Sequence, residues 1–220
     1  MNESNEFHRW WHQAHKAEQH IVFPDGCQDV LIIRSLNEPV QVILTEFDFQ
    51  PRIADLLPGT EIVGFRLRPG TLVSAHVLEA VLENTDQVET ILSEECGHWS
   101  DLDEAIVKLT EPGATVESTS RQIGVSIRTM QRYFFAQNLP PPDYWRLLAR
   151  ARRAAGLLSS TAALAAIADE CNFSDQAHMT RELMRWFGFT PTQLRKRGSI
   201  LEELRQPALG NWTGEQISTR

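Results

Sequence analysis

Two groups of side chains suited to hydrogen-bonding base edges recur at helical spacing in the second half of this 220-residue chain. One is Arg128, Gln131 and Arg132, preceded by Ser126 and flanked by Thr129; the other is Gln176, Ala177, His178, Thr180, Arg181 and Arg185. Side chains on a helix recur every 100°, which separates a core arc from an outer arc. In the first segment Met130, Tyr133 and Phe134 fall on one arc and Arg128, Gln131 and Arg132 on the other. In the second, Met179, Leu183, Trp186 and Phe187 face inward, His178, Arg181 and Arg185 outward, with Gln176 and Thr180 at the edges. A guanidinium matches the two major-groove acceptors of guanine and a carboxamide matches adenine, each good pair discriminating by roughly 1–3 kcal/mol. Two such arcs imply direct readout of double-stranded DNA.

Each outer arc needs a helix held at a fixed angle. The first unit runs from about Thr115 to Gln137: a short helix around Thr119 to Ile123, the turn Gly124-Val125-Ser126, then a second helix from Ile127. Gly124 supplies a positive φ at the turn and Ser126 an N-cap oxygen. The second unit repeats the pattern from Ala162, with Leu164, Ile167 and Ala168 leading to Cys171-Asn172-Phe173-Ser174 and the helix from Asp175. Asn172 can take the left-handed conformation that Gly takes in the first. Between them, Pro142 to about Ser159 reads as one helix with an apolar stripe of Tyr144, Leu148, Ala151, Ala155 and Leu158, opposite Arg146, Arg150 and Arg153. Pro141 and Pro142 fit at its start, where a missing N–H does no harm. At about 1.5 Å per residue this helix separates its flanking units by a distance comparable to the roughly 34 Å repeat of DNA.

These residues also carry a family resemblance. The stretch 101–198 resembles the DNA-binding domain of the AraC/XylS family of bacterial transcription regulators, through the segments from Gly124 to Phe134, from Asn172 to Arg181, and Phe187-Gly188-Phe189-Thr190-Pro191. The resemblance implies a seven-helix domain in which Arg128, Gln131 and Arg132, then Gln176, Ala177, His178, Thr180 and Arg181, contact bases and phosphates. The sequence departs from the family pattern at Asn172, where Gly is usual, at Pro140-Pro141-Pro142, and at Ala177, where a polar residue is common. Arg146, Arg150, Arg195, Lys196 and Arg197 are expected on the DNA backbone.

The net charge of −8 at first opposes this reading. Residues 1–117, however, hold 7 Lys or Arg against 21 Asp or Glu, and residues 118–220 hold 14 against 8, so the basic half is the one with the twin units. Basic charge there satisfies phosphates, while the acidic half limits indiscriminate binding. Cys27, Cys96 and Cys171 are odd in number and lack C-x-x-C spacing, arguing against disulfides or a Cys-rich zinc site and for a reduced cytoplasm. Neither a leader nor an 18-residue apolar run is evident.

The expected architecture is an α+β N-terminal domain (1–96) for regulation or dimerisation, an all-α domain (97–198) with two helix-turn-helix units joined by a long linker helix, and a C-terminal tail (199–220). Strands are expected over Gln19–Phe23, Gln28–Arg34, Val40–Glu46 and Glu61–Leu67, and helices over Thr71–Leu82, Asp86–Glu95 and Trp99–Leu109. Pro24 to Leu31 with Gly64 to Gly70 resembles an N-terminal domain of uncharacterised role found on some AraC-type regulators, distinct from the arabinose-binding cupin type.

Three local features suggest other chemistry. His8, His12 and His15 at i, i+4 and i+7 would share a helix face, yet no Cys completes a zinc site, and a solvated helix anchored by Trp is expected over Phe7–His20, with no metal. Arg66 and Arg68 alternate on a strand and either take an anion or form salt bridges, the latter expected. Cys27 between Asp25 and Asp29 raises an alternative, a DNA-repair alkyltransferase-type enzyme fused to a DNA reader, although the Pro-Cys-His-Arg signature is absent. A protein-interaction module with degenerate helix-turn-helix units is the third alternative. The expected partners are double-stranded DNA and RNA polymerase, with a homodimer through the N-terminal domain and an unknown small-molecule effector left open. In the tail, Leu201, Leu204 and Leu209 offer docking residues, against fraying near Gly210 to Gly214.

Overall fold

A computed structural model describes residues 7–212. Its first part is sheet-rich. Strands β1 (Phe7–Gln13), β3 (Asp29–Arg34), β4 (Gln41–Leu44) and β6 (Glu61–Leu67) form an antiparallel sheet in the order β1-β6-β3-β4, and β2 (Glu18–Val22) pairs with β5 (Arg52–Leu56) in a second, two-stranded sheet. The helix expected over Phe7–His20 is therefore replaced by β1 and β2. The His spacing mimics a helical face, but pairing of β1 along the whole of central β6, from Phe7 opposite Leu67 to Gln13 opposite Glu61, wins over it. Gly64 in β6 matters to that pairing: a Cβ there would lie 2.1 Å from the Trp10 ring, so only Gly lets the indole come this close to the strand. From that position Trp10 Nε1 donates to Asp29 Oδ1 at 2.8 Å.

Helices α1 (Ala75–Glu83) and α2 (Val88–Cys96) cover the four-stranded sheet, burying Val77, Val81, Val88, Leu92 and Cys96 against Val30, Ile32, Phe65 and Leu67. The first begins at Ala75 rather than near Thr71 because the Ser74 side chain caps it, accepting from Val77 N at 3.4 Å.

The helical part comprises α3 (Asp101–Thr110), α4 (Val116–Gln122), α5 (Ile127–Ala136), α6 (Pro142–Leu157), α7 (Leu164–Glu170), α8 (Gln176–Phe187), α9 (Pro191–Arg195) and α10 (Gly198–Leu204). Its core gathers on α6, where Tyr144, Leu148, Ala151 and Ala155 are buried as their spacing required, and Trp145, outside that stripe, is buried beside them. Phe23 and Phe47 from the sheet-rich part enter this core: Phe23 meets Phe187, and Phe47 meets Tyr144 and Trp145. Tyr144 Oη donates to the Asp48 carbonyl at 3.1 Å, and Arg68 Nη2 lies 3.0 Å from Asp103 Oδ1, so the two parts are joined by polar as well as aromatic contacts.

Leu201, Leu204 and Leu209 are buried, Leu209 N donates to the Asp25 carbonyl at 3.0 Å, and the Trp212 ring lies 4.4 Å from that of His8. Thr213 and Gly214 lie outside the described residues.

Candidate nucleic-acid interface and the adjoining cavity

The two helix-turn-helix units are built by the same local device. Gly124 has φ 73° and Asn172 φ 58°, and the next residue donates its N–H five residues back: Val125 to the Ser120 carbonyl and Phe173 to the Ala168 carbonyl, both at 2.9 Å. The second helices are then capped. Ser126 Oγ accepts from Thr129 N at 3.1 Å, and Asp175 Oδ1 accepts from His178 N at 2.6 Å. That bond holds the Asp175 carboxyl below its ordinary pKa. A capping box between Thr115 and Ser118 starts α4.

On α5, Met130 and Phe134 are buried while Arg128, Gln131 and Arg132 are exposed. Tyr133 departs from the expected core arc. It is half exposed, because a seam of two residues at i and i+4 is wide enough to seat this short helix. Sequence reasoning also missed Phe135, which is 82% exposed. It lies about 40° around the wheel from Gln131, on the polar arc; its place on the outer side was legible in the spacing, but a Phe reads first as core.

On α8, Met179, Leu183, Trp186 and Phe187 are buried, and Gln176, Ala177, Arg181 and Arg185 are exposed. His178 is half buried rather than presented outward: its Nδ1 lies 3.1 Å from Ser174 Oγ and its ring meets Phe173 edge-on, which ties it to the turn. Thr180 Oγ1 donates to the Gln176 carbonyl at 2.9 Å.

The cations expected on the DNA backbone divide in two. Lys196 and Arg197 are exposed, Arg197 stacking on Phe189, and Arg146 pairs with Asp143 at 2.6 Å. Arg150 instead donates to the Asn172 carbonyl at 3.3 Å and lies 4.4 Å over the Phe173 ring; burial pulls its guanidinium below its ordinary pKa, opposed by Glu182. Arg195 donates to the carbonyls of Leu158 and Ala162. Arg153 likewise donates to the Thr110 carbonyl. These three brace the frame from within.

Between the sheets and α10 lies a cavity of about 500 Å³. Ile21, Leu31, Ile33, Leu56 and Ile62 give it apolar walls, α10 contributes Ile200 and Leu204, and Arg66 and Arg152 reach it at a polar end. Arg66 forms the expected salt bridges, with Asp25 at 2.9 Å and Asp29 at 3.6 Å. Arg68 does so too, but with Asp103 of the helical part. Arg152 donates to the Gln206 carbonyl at 2.8 Å, and its buried Nε has no hydrogen-bond partner among the described residues. Cys27 is buried, and desolvation, then Asp25, push its thiol well above the ordinary range, the reverse of what a nucleophilic cysteine requires. Among the described residues no helix is long and apolar enough to cross a membrane.

Among the described residues, six strands are followed by helices, and two matched helix-turn-helix units sit on one central helix. Residues 119–197 match the family described as "Helix-turn-helix domain". The HTH-type transcriptional regulator VirS of Mycobacterium tuberculosis is 33% identical over 86 residues, covering 39% of this chain and 25% of VirS. The chain thus matches about a quarter of the length of its curated relatives. Among solved structures, a probable AraC family transcriptional regulator from Rhodopseudomonas palustris is 24% identical, over 43% of this chain and 90% of that one, at a TM-score of 0.37. ToxT from Vibrio cholerae O395 is 10% identical, over 91% of this chain and 99% of that one, at a TM-score of 0.45.

Proposed function

We propose that this chain is a sequence-specific DNA-binding regulator of transcription that reads two adjacent major-groove segments. The observation that carries the proposal is the repetition of one device: two turns closed by the same five-residue-back bond, each delivering a helix with a buried apolar face and an exposed Arg/Gln face. Arg128, Gln131 and Arg132 on α5, and Gln176, Ala177 and Arg181 on α8, contact bases, the Ala177 methyl and Phe135 ring meeting thymine methyls. Arg146, Arg185, Lys196 and Arg197 meet phosphates, while Arg150 and Arg195 act by holding α8 and α9 in place. The cavity would serve a small-molecule effector: its apolar walls and polar end suit a molecule with an apolar body and one polar head, and its position against α10 would link such binding to the helical part. Regulation then follows from recruiting or blocking RNA polymerase. Self-association would run through the sheet-rich part.

Selection of bound sequences from a random duplex pool by the full chain, at two salt concentrations, tests this. An asymmetric two-block motif about one helical turn apart that persists at the higher salt is the expected result. Binding with no motif, lost as salt rises, would refute it.

A further inference from the structure

We propose a divalent metal site for zinc or a neighbouring first-row ion at His12, Glu18 and His20, on the rim of the cavity. Glu18 and His20 stand two residues apart on β2 and so share one face, and His12 comes to them from β1 of the other sheet. His12 Nε2 lies 2.6 Å and His20 Nε2 3.5 Å from Glu18 Oε1, and one ligand atom from each of the three lies within 4.8 Å of the others. Tetrahedral zinc with bonds of about 2.0–2.1 Å holds its ligand atoms about 3.4 Å apart, so shifts on the order of 1 Å complete the set. Two imidazoles and a carboxylate suit borderline ions better than calcium or magnesium, which prefer all-oxygen cages. His12 and Glu18 are partly exposed, at 28% and 24%, and His20 is 46% exposed, which leaves an entry path. Three protein ligands leave a position for water or a ligand oxygen, and His12 and His20 both line the cavity. The ion would tie the two sheets together there, and the site stands whether or not the DNA reading does.

The test uses full-length protein stripped with a chelator, titrated with Zn2+ against a chromophoric competitor and, separately, with Co2+ followed by its visible ligand-field bands. One equivalent should bind. Affinity should drop on the order of 100-fold or more in His12→Ala and His20→Ala and at least tenfold in Glu18→Gln, since loss of outer-shell partners alone costs 10–100-fold. His15→Ala should bind as wild type does. X-ray absorption of the wild-type zinc complex should show imidazole and oxygen scattering, a result that does not depend on any variant folding. No binding tighter than the buffer's, unchanged affinity in a His12→Ala/His20→Ala double variant, or sulfur in the coordination shell would overturn the site.

Discussion

Replacing Arg150 by Ala separates a bracing role from a phosphate contact. The guanidinium donates to the Asn172 carbonyl at 3.3 Å and lies 4.4 Å over the Phe173 ring, so it pins both residues of the turn that aims α8. A long hydrogen bond at a half-buried position contributes about 0.5–1 kcal/mol, and a partly exposed cation–π contact about as much again. The expected loss is about 1–2 kcal/mol, which for a chain of this size lowers the melting temperature by roughly 2–8 °C. Thermal denaturation followed by tryptophan fluorescence reads that shift. The salt dependence of affinity for a selected operator reads the other half: removing a brace lowers affinity while leaving the slope against log salt unchanged, whereas removing a phosphate contact reduces the slope by about 0.9. An unchanged melting temperature together with the smaller slope would refute the bracing argument and return Arg150 to the DNA backbone.

Other substitutions report on other parts of the molecule. Gly64→Ala should cost about 1–3 kcal/mol in urea denaturation, because its Cβ meets the Trp10 ring at 2.1 Å and one of the two must move; a neutral result would mean the ring is free to leave. Arg181→Ala should lower operator affinity by about 1–3 kcal/mol and relax base preference at one or two positions only, in contrast to Ser126→Ala, which removes the cap of α5 and should lower stability by about 0.5–2 kcal/mol. An equal loss on every sequence for Arg181→Ala would make it a phosphate contact. Cys27 should resist alkylation in the native chain at pH 8 and react after unfolding in urea. Its folded pKa is raised, so the folded state keeps the proton while the unfolded chain ionises near its ordinary value; stability is intact below about pH 9 and declines above it, a decline that Cys27→Ala should lessen. Rapid native labelling at Cys27 would contradict the burial on which this rests.

The helical half could be read from the sequence because its signals are local. Gly124, Asn172, Ser126 and Asp175 do their work within a few residues, and the periodicity of α6 and α8 marks buried faces that the fold then fills. Tyr133 and His178 were misplaced for a related reason: a wheel gives direction, but not how wide a stripe the neighbours cover or that Ser174 and Phe173 capture an imidazole. The sheet-rich half was less legible. In β1 the adjacent Trp10 and Trp11 break the alternation and the histidines imitate a helix, while β5, Arg-Ile-Ala-Asp-Leu, carries no clear pattern and exists by pairing with β2 some 30 residues earlier. The cavity and the His12–Glu18–His20 cluster are products of that long-range pairing, which no local signal encodes.

The stretch from Leu201 to Trp212 has a consequence for anyone dividing this molecule. Leu201 and Leu204 belong to the helical core, Leu209 bonds to Asp25 and would clash with any side chain at position 26, and Trp212 lies against His8. The peptide acts as a keystone wedged between the two parts, so trimming the chain just past the residues that match the helix-turn-helix family would strip a wall from the cavity and bare the side of α6 on which Arg152 and Ala149 rest. A minimal DNA-binding fragment cut by homology alone would be sticky and weakly folded, while one retaining this segment without the sheets would still carry an exposed Leu209 in search of its partner.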